Sequence, residues 1–528
     1  MNKSENKNIV LAIDCGTRGI RGILFDDCGN ERGKSEKIFD GYYSKCFQWK
    51  EAPPEMFWDV LVEVVKNLNQ KDPVLFNAIQ GMTVSCQRDI ITVVDKKGEP
   101  LRDFISWLDR RELDESLPFA LPYTLLFKMI GFNDSAKSFS RITHANWIKV
   151  HEPRIWEKTS KVVFLSTYLL TKLTGEVMDS RSSIAGHVPF DTRRKEWCKK
   201  NDVKYQIIKI EPEKCFDLVD SCEIIGQLTA AAAQMTGLPA GLEIVASGTD
   251  KGCETVGVGA LTPEIASVSL GTQSTVEIST TKYVELYPFY PSFTAVDKDA
   301  YNPEVTIYHG FWMVNWYVKE FLEQVDPQKL HPLLEEYLIE TPVGANGLVH
   351  QPYWGMEAFR PEARGSFIGF TEGHTKKHIY RAIVEGLGYG LLEGLELIES
   401  KTKIPVQSIG LSGGGSRSDG VTQIMADIFN RPVYRVQTFE TTGLGAAIAT
   451  FVGLGRYENI AEASEQMIHQ SKVFLPDPTN VIKYLEIYNK IYKKLYGRVK
   501  PLYQAYNKMS NVADVLEEEV TKVNEKQL

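Results

Sequence analysis

The chain opens on a β-branched apolar run over residues 8–14, NIVLAID, which small residues from Gly16 to Gly19 interrupt. Residues 20–26, IRGILFD, then resume in alternation before the turn DDCGN. Period-two patterning around a small-residue loop predicts a hairpin-like pair of strands. Residues 80–95 form a further strand region that ends in ITVVD before the turn KKGEP. Residues 161–174, KVVFLSTYLLTKLT, read as a helix stopped by Gly175. A second round starts near residue 244. EIVASGTD predicts a strand ending at Gly248 and Asp250, and IASVSLGTQSTVEIST repeats the strand, small loop, strand plan. From His378 to Ile398, Ile379, Ile383, Leu387, Leu391, Leu395 and Ile398 recur at helical spacing. The strand SIGLSGGG leads into a helix over 417–429. The segment VIKYLEIYNKIYKKLYGRV is amphipathic, with tyrosines on one face. The last fifteen or so residues are charged and are expected to fray.

This pattern predicts two α/β halves with a boundary around residues 245–260. No Pro/Gly/Ser-rich linker separates them, so the halves are expected to pack closely, with the ligand site in a cleft between them. A length of 528 residues is compatible with roughly two to four domains. The composition, 43% hydrophobic and 24% charged, is that of an ordinary folded protein. The net charge of −8 weighs against nucleic acid as the main partner, but leaves room for a nucleotide held by local donors. Eight scattered cysteines (Cys15, Cys28, Cys46, Cys86, Cys198, Cys215, Cys222 and Cys253) include no C-x-x-C pair, so neither a disulfide framework nor a zinc site is predicted. The N-terminus has no signal-peptide pattern. No apolar run reaches the ~18 residues of a membrane span, and a cytoplasmic location is expected.

Four segments carry candidate chemistry. In DCGTRGIR, residues 14–21, a carboxylate ends a strand and a tight loop follows. Loop N–H groups with Thr17, Arg18 and Arg21 can hold phosphate oxygens, and Asp14 can hold magnesium through water. A hairpin with a charged turn has the same pattern. SLGTQST, residues 269–275, offers a second small-residue loop. In LSGGGSRSD, residues 411–419, three glycines let a flat ring approach the backbone, though a plain flexible loop fits as well. In SGTDKG, residues 247–252, Asp250 is either a carboxylate that accepts a hydroxyl proton or a helix N-cap. No G-x-x-x-x-G-K-[ST] occurs, which disfavours a P-loop kinase.

Taken in order, the three loops and Asp250 resemble the FGGY carbohydrate kinases of the actin/hexokinase/Hsp70-like superfamily, over roughly residues 8–500. The most specific segment, Gly365 to Glu385 (GSFIGF-x7-HIYRAIVE), is similar to the second family signature, with Phe370 where a smaller aliphatic residue is usual. QRDIITVVD with WLDRR at 107–111, WKEAPPEMFW at 49–58 and ETTGLGAA at 440–447 also resemble the family. The first signature departs from the pattern, with His144 in place of a lysine three residues before Trp147.

The resemblance implies an α/β fold of two actin/hexokinase-like (ribonuclease H-like) domains with a catalytic cleft between them. Residues 1–250 are expected to be mainly acceptor-binding, 251–500 mainly ATP-binding, and 501–528 a charged tail. It implies ATP and Mg2+ as cofactors and a small sugar or polyol as substrate. By position, Asp250 is the general base and Asp14 the aspartate associated with magnesium-ATP. Thr17, Arg18 and Arg21 fall in the first phosphate loop, Gly271 and Thr272 in the second, and Gly413, Gly414 and Ser418 in the adenosine loop. Arg88, Asp89, Trp107, Asp250 and Lys251 match the acceptor pocket.

The family's acceptors include glycerol, pentuloses, aldonic acids and deoxyketoses. Q-R-D here resembles the Q-R-E of glycerol kinases, whereas xylulokinases usually carry Q-M-H. Glycerol kinases follow the catalytic aspartate with glutamine, where this chain has Lys251, which can contact a substrate oxygen or form an ion pair. Relatives often form homodimers. Two other classes share the architecture, a sugar-responsive regulator and a chaperone-like ATPase. Retention of both aspartates, the absence of a helix-turn-helix extension, and the Trp/Arg/Asp acceptor cluster weigh against them.

Overall fold

The computed structural model describes residues 8–44, 49–287, 290–354, 360–507 and 509. Cys46, the first seven residues and residues 510–528 of the charged tail lie outside the described residues. The chain forms two compact units. Unit 1 comprises Met1–Gly257, Phe293–Tyr301 and Thr442–Met467, and unit 2 comprises Val258–Ser292, Asn302–Thr441 and Ile468–Leu528.

Each unit is built on a six-stranded mixed sheet. In unit 1 the order is Ile224–Gln227, Glu243–Val245, Ile79–Cys86, Ile9–Cys15, Gly19–Asp26, Glu31–Ile38. The last three strands form an antiparallel meander. Ile9–Cys15 runs parallel to Ile79–Cys86, which runs parallel to Glu243–Val245, and Ile224–Gln227 closes the edge antiparallel. Ile9–Cys15 is buried throughout, as a central strand covered on both faces must be. Helix Pro54–Lys71 places Phe57, Leu61, Val64, Val65 and Leu68 in the core of this unit. Gly22 lets that helix settle, because a β-carbon there would come within 2.8 Å of the Val64 Cγ1.

Unit 2 repeats the plan in the order Glu304–Ile307, Ser274–Ile278, Ile265–Leu270, Ser408–Ser412, Val433–Val436, Gln470–Phe474. Three antiparallel strands again lead to two parallel ones and an antiparallel edge. The recurrence expected from the two strand–loop–strand segments is therefore present. The edge strands differ in chain order, since Ile224–Gln227 precedes its neighbour and Gln470–Phe474 follows it.

Three expected elements end differently. The stretch 161–174 is not one helix. Its β-branched start, Lys161–Phe164, pairs antiparallel with Ile91–Val94, and the helix is Leu165–Thr174, capped by Gly175 at φ 81°. EIVASGTD is a strand only over Glu243–Val245. The helix expected at 417–429 is Asp419–Phe429, preceded by a short 3-10 turn over Gly414–Arg417. The long helix Lys376–Thr402 matches the periodicity, with Ile383, Leu387, Leu391, Leu395 and Ile398 fully buried. The tyrosine face of the tail belongs to the core of unit 2. Tyr484, Tyr488 and Tyr492, on helix Pro478–Ile487 and the π-turn that follows it, pack around Tyr389. The seven described cysteines are all free. No helix among the described residues is long and apolar enough to cross a membrane.

The charged residues of the Gly365–Glu385 signature turn out to be structural. Arg381 Nε donates to Glu385 Oε1 at 2.7 Å, Nη1 reaches the Thr341 carbonyl at 2.8 Å, and Nη2 reaches the Tyr484 hydroxyl at 2.8 Å. Glu385 also accepts from the Gly344 N–H and from Tyr484. Removing one partner of a buried pair strands the other charge, at a cost of about 3–5 kcal/mol. Glu385→Ala is expected to lower the thermal unfolding midpoint accordingly, and an unchanged midpoint would show that the network contributes nothing net.

Candidate functional site

The candidate residues of unit 1 converge because three parallel strands end in register. Cys15 lies opposite Cys86, and Cys86 bridges to Thr249. Asp14, the segment Gln87–Asp89 and Asp250 therefore emerge at the carboxyl ends of adjacent strands, where open α/β sheets bind ligands.

The first loop is a tight turn closed by the Gly16 N–H on the Gly19 carbonyl at 3.0 Å. Thr17 is half-buried and Arg18 exposed. Asp14 is 2% exposed and accepts from Arg21 Nη2 at 2.7 Å across the antiparallel pair, so strand register alone brings these two together.

Gln87 was not singled out from the sequence, yet it ties this turn to Trp107. Its N–H donates to the Cys15 carbonyl at 2.9 Å, and its Nε2 donates to the Gly16 carbonyl at 3.0 Å and the Tyr42 hydroxyl at 3.1 Å. Its Oε1 accepts from Trp107 Nε1 at 3.0 Å. Arg88 donates through Nε to Thr249 Oγ1 at 3.2 Å and lies over the Phe293 ring at 4.0 Å. Asp89 has a left-handed backbone, φ 57°, which Asp tolerates better than most residues. Its Oδ1 accepts from the His187 N–H at 3.1 Å, and its Oδ2 lies 2.7 Å from His187 Nδ1. Burial is the largest single influence on Asp89 and opposes its ionisation, but the charge and the two hydrogen bonds of His187, with a smaller influence from His144, together hold the carboxyl below its ordinary value. Burial likewise opposes charge on His187, and Asp89 reverses that, raising the imidazole above its ordinary value.

At Asp250 the structure separates the two roles the sequence left open. Helix Asp250–Gly257 is capped by Thr249, whose Oγ1 accepts from the Gly252 N–H at 3.2 Å. The Asp250 carboxylate accepts from the next amide, Lys251 N–H, at 2.9 Å. Burial raises its pKa above the ordinary carboxylate value, while Lys251 and Arg88 pull the other way. The Lys251 ammonium pairs with Glu254 Oε2 at 2.7 Å, one turn on.

The WLDRR and WKE segments meet beneath these residues as scaffold. Arg111 lies between the Trp49 and Trp147 rings, at 4.1 and 4.6 Å, and pairs with Asp109 at 2.7 Å and Glu51 at 2.9 Å. His144 is buried nearby. Burial depresses its pKa to about 4, and its Nδ1 makes no hydrogen bond among the described residues. In the ETTGLGAA segment, a β-carbon at Gly445 would collide with the Cys253 carbonyl, so glycine is what allows this helix to lie on helix Asp250–Gly257.

In unit 2 the two candidate loops touch. Gly413 has φ 78°, and a β-carbon there would lie 2.7 Å from the Leu270 carbonyl carbon and 2.9 Å from the Gly271 nitrogen. The loop of Gly271 and Thr272 is held by the Phe311 and Gly310 N–H groups on their carbonyls, each at 2.9 Å. Gly414 faces open space. Ser418 caps helix Asp419–Phe429 by accepting from the Val421 N–H at 3.0 Å. A separate cavity of about 350 Å³ in unit 2 is lined by none of the candidate residues, and two of its carboxylates, Glu393 and Glu396, are engaged by Arg360, Tyr353, Tyr488 and Lys493.

Among the described residues no group of three or more metal-ligating side chains occurs. A single buried carboxylate such as Asp14 fits magnesium held largely by water and phosphate, and does not fit a protein-caged ion. The open face at Gly414, beside the left-handed Gly413, fits the close approach of a planar ring.

Family models described as FGGY family of carbohydrate kinases, N-terminal domain and C-terminal domain, match residues 9–257 and 266–454. A xylulose kinase of Bacillus subtilis strain 168 is 29% identical over 499 residues, covering 93% of this chain and 97% of that protein. In fold, the chain is similar to the crystal structure of a ligand-bound xylulose kinase from Lactobacillus acidophilus, with a TM-score of 0.80 at 21% identity, covering 94% of this chain and 100% of that one. A gluconate kinase structure from the same species gives a TM-score of 0.80 at 21% identity, covering 94% and 99%. With both halves matched in order on two mixed α/β sheets, the chain belongs to the FGGY family of carbohydrate kinases and is an ATP-dependent sugar or polyol kinase.

Proposed function

We propose that this kinase transfers the γ-phosphoryl group of magnesium-ATP to a hydroxyl of a neutral ketose or polyol, with Asp250 as general base. The observation that carries the base assignment is that Thr249, not Asp250, caps the following helix, so the Asp250 carboxylate is not taken up by the cap and, among the described residues, accepts a hydrogen bond from the adjacent amide alone. The raised pKa of Asp250 brings its basicity closer to what proton abstraction from a hydroxyl near neutral pH requires. The proton moves to the Asp250 oxygen as the new O–P bond forms.

A neutral acceptor is favoured over a sugar acid by the charges around the proposed pocket. Lys251, the natural partner for a substrate carboxylate, is already paired with Glu254, and Asp89 offers carboxylate lone pairs that a hydroxyl can donate to and an ionised substrate carboxylate cannot. Arg88 and Asp89 supply a donor and an acceptor suited to neighbouring hydroxyls, and Trp107, oriented by Gln87, supplies an apolar face for sugar carbons. The relative at 29% identity is a xylulose kinase, which is consistent with a ketose acceptor. In this proposal Asp14 holds the magnesium-bound phosphates through water, Thr17, Arg18 and Arg21 line the first phosphate loop, Gly271 and Thr272 line the second, and Gly413, Gly414 and Ser418 form the adenosine loop. The bound magnesium would neutralise charge on the transferring phosphoryl group.

A coupled ADP-release assay over ketoses, polyols, glycerol and aldonic acids is expected to give turnover with a neutral ketose or polyol, and preference for an aldonic acid would overturn the charge argument. Asp250→Asn is expected to lower kcat by roughly 10²–10⁴-fold with ATP binding retained. Because the base acts only when ionised, wild-type kcat/KM should fall with decreasing pH along an acid limb above the ordinary carboxylate value, and that limb should vanish in the variant. Gly413→Ala forces an alanine into a left-handed backbone against Leu270, a strain of about 1–3 kcal/mol. The KM for ATP should rise about tenfold with the KM for acceptor little changed, and equal effects on both would argue against an adenosine role for this loop.

A further inference from the structure

Asp89 is held by a segment that nothing in the reaction chemistry demands. Residues 184–188, Ile-Ala-Gly-His-Val, fold over its carboxylate. The His187 backbone N–H and the imidazole Nδ1 each bind a different carboxylate oxygen, at 3.1 and 2.7 Å. Gly186 has φ 102°, and a β-carbon at that position would fall 2.1 Å from Asp89 Oδ1. Only glycine lets the backbone approach this closely and then turn His187 back onto the second oxygen. On its own side, Asp89 occupies the left-handed region, so its carboxylate direction is set jointly by an uncommon backbone and a two-point clamp.

We infer that Gly186 and His187 form a positioning clamp that orients Asp89 for recognition of two neighbouring acceptor hydroxyls. The inference rests on the assignment of Asp89 to the acceptor pocket. A carboxylate bound at both oxygens keeps two lone-pair directions for a ligand, and the clamp decides which two. A vicinal diol presents its hydroxyls at fixed separation, so a freely rotating carboxylate would recognise it less well than a fixed one. His187 faces Asp89 from its own loop and His144 from helix His144–His151, with the Asp109–Arg111 pair behind His144. His144 is buried and neutral at ordinary pH, so the charge on the clamp is that of His187. That charge is present at low pH and is lost as pH rises through the titration of His187, which lies above the ordinary imidazole value. The N–H hydrogen bonds survive the loss of charge.

The test is steady-state kinetics of the full-length enzyme, using the best acceptor from the panel, for wild type, His187→Ala, His187→Asn, Gly186→Ala and Asp89→Ala. His187→Ala removes one charge-assisted hydrogen bond, and its acceptor KM should rise roughly tenfold with kcat at saturation changed less than threefold and the KM for ATP unchanged. His187→Asn carries an amide where Nδ1 stood and should recover most of the loss near neutral pH. In wild type the acceptor KM should climb as pH rises through the His187 titration, and in His187→Asn that dependence should disappear. Gly186→Ala should raise acceptor KM at least as much as His187→Ala. Thermal midpoints within a few degrees of wild type for His187→Asn separate positioning from folding. Acceptor KM unchanged in His187→Ala while Asp89→Ala raises it strongly would overturn the clamp alone. An unchanged KM in Asp89→Ala would overturn the acceptor assignment and the clamp with it.

Discussion

The arrangement of unit 1 depends on how strand pairing continues past the end of the sheet at Gln87. Its backbone N–H extends the ladder onto Cys15, and its side-chain amide then bonds Gly16, Tyr42 and Trp107 together. A primary amide is the one side chain that donates twice and accepts on the same flat group, and all of these capacities are engaged here. The turn that follows Asp14 and the indole of Trp107 are thus held by one residue that is itself 7% exposed. Loss of either end would leave buried polar groups unsatisfied, which is costlier than the bonds are individually worth.

The same logic of register explains why residues far apart in sequence converge. Asp14, Gln87 and Asp250 need no long side chains to meet, because Cys15, Cys86 and Thr249 sit side by side at the ends of parallel strands. Side chains lock the layers: Ser85 Oγ donates to the Gly248 carbonyl, Thr83 Oγ1 to Val245 and Ser247 Oγ to Val84. Buried hydroxyls need partners, and these find them in the backbone carbonyls of the neighbouring segment. Small residues do the corresponding work in packing, with Gly445 against the Cys253 carbonyl and Gly22 under Val64. Electrostatics is separated by depth. Within the scaffold Arg111, stacked between two tryptophans, and Arg102 face Glu51 and Asp109, two charges of each sign, whereas Asp89 and Asp250 keep perturbed protonation at the strand ends.

Much of this architecture was legible in the chain. The strand, small loop, strand segments at 8–26 and 265–278 stood out because central strands are uniformly apolar, and the helix from His378 showed its stripe for the same reason. The helix start within 161–174 was not legible, since KVVF and the residues after it are both apolar and only pairing with Ile91–Val94 distinguishes them. For Lys251, an ion pair was one of the two outcomes the sequence left open, and the partner is Glu254, one turn on. Gln87 sat inside a quoted motif but carried no signal of its own, because its role comes from three partners spread over residues 16 to 107. Gly186 and His187 gave even less, lying in an irregular segment with no periodicity and no motif.

That last case shows how a site acquires specificity beyond its family motif. Asp250 stands in a short recognisable string, SGTDKG, which is why the sequence alone could offer it as a candidate. Discrimination among acceptors differing in one hydroxyl depends on direction, and direction is set by what touches the contact residue from behind. Asp89 is flanked by an imidazole that bonds it and another, His144, that burial keeps neutral. A positively charged group at residue 144 would add to the positive field at Asp89. With a neutral imidazole there, the proposed orientation of Asp89 rests on the two contacts from His187, the backbone N–H on one carboxylate oxygen and Nδ1 on the other. A clamp of this kind fixes direction through hydrogen bonds made from behind the contact residue, which is why neither of its members stands in a motif.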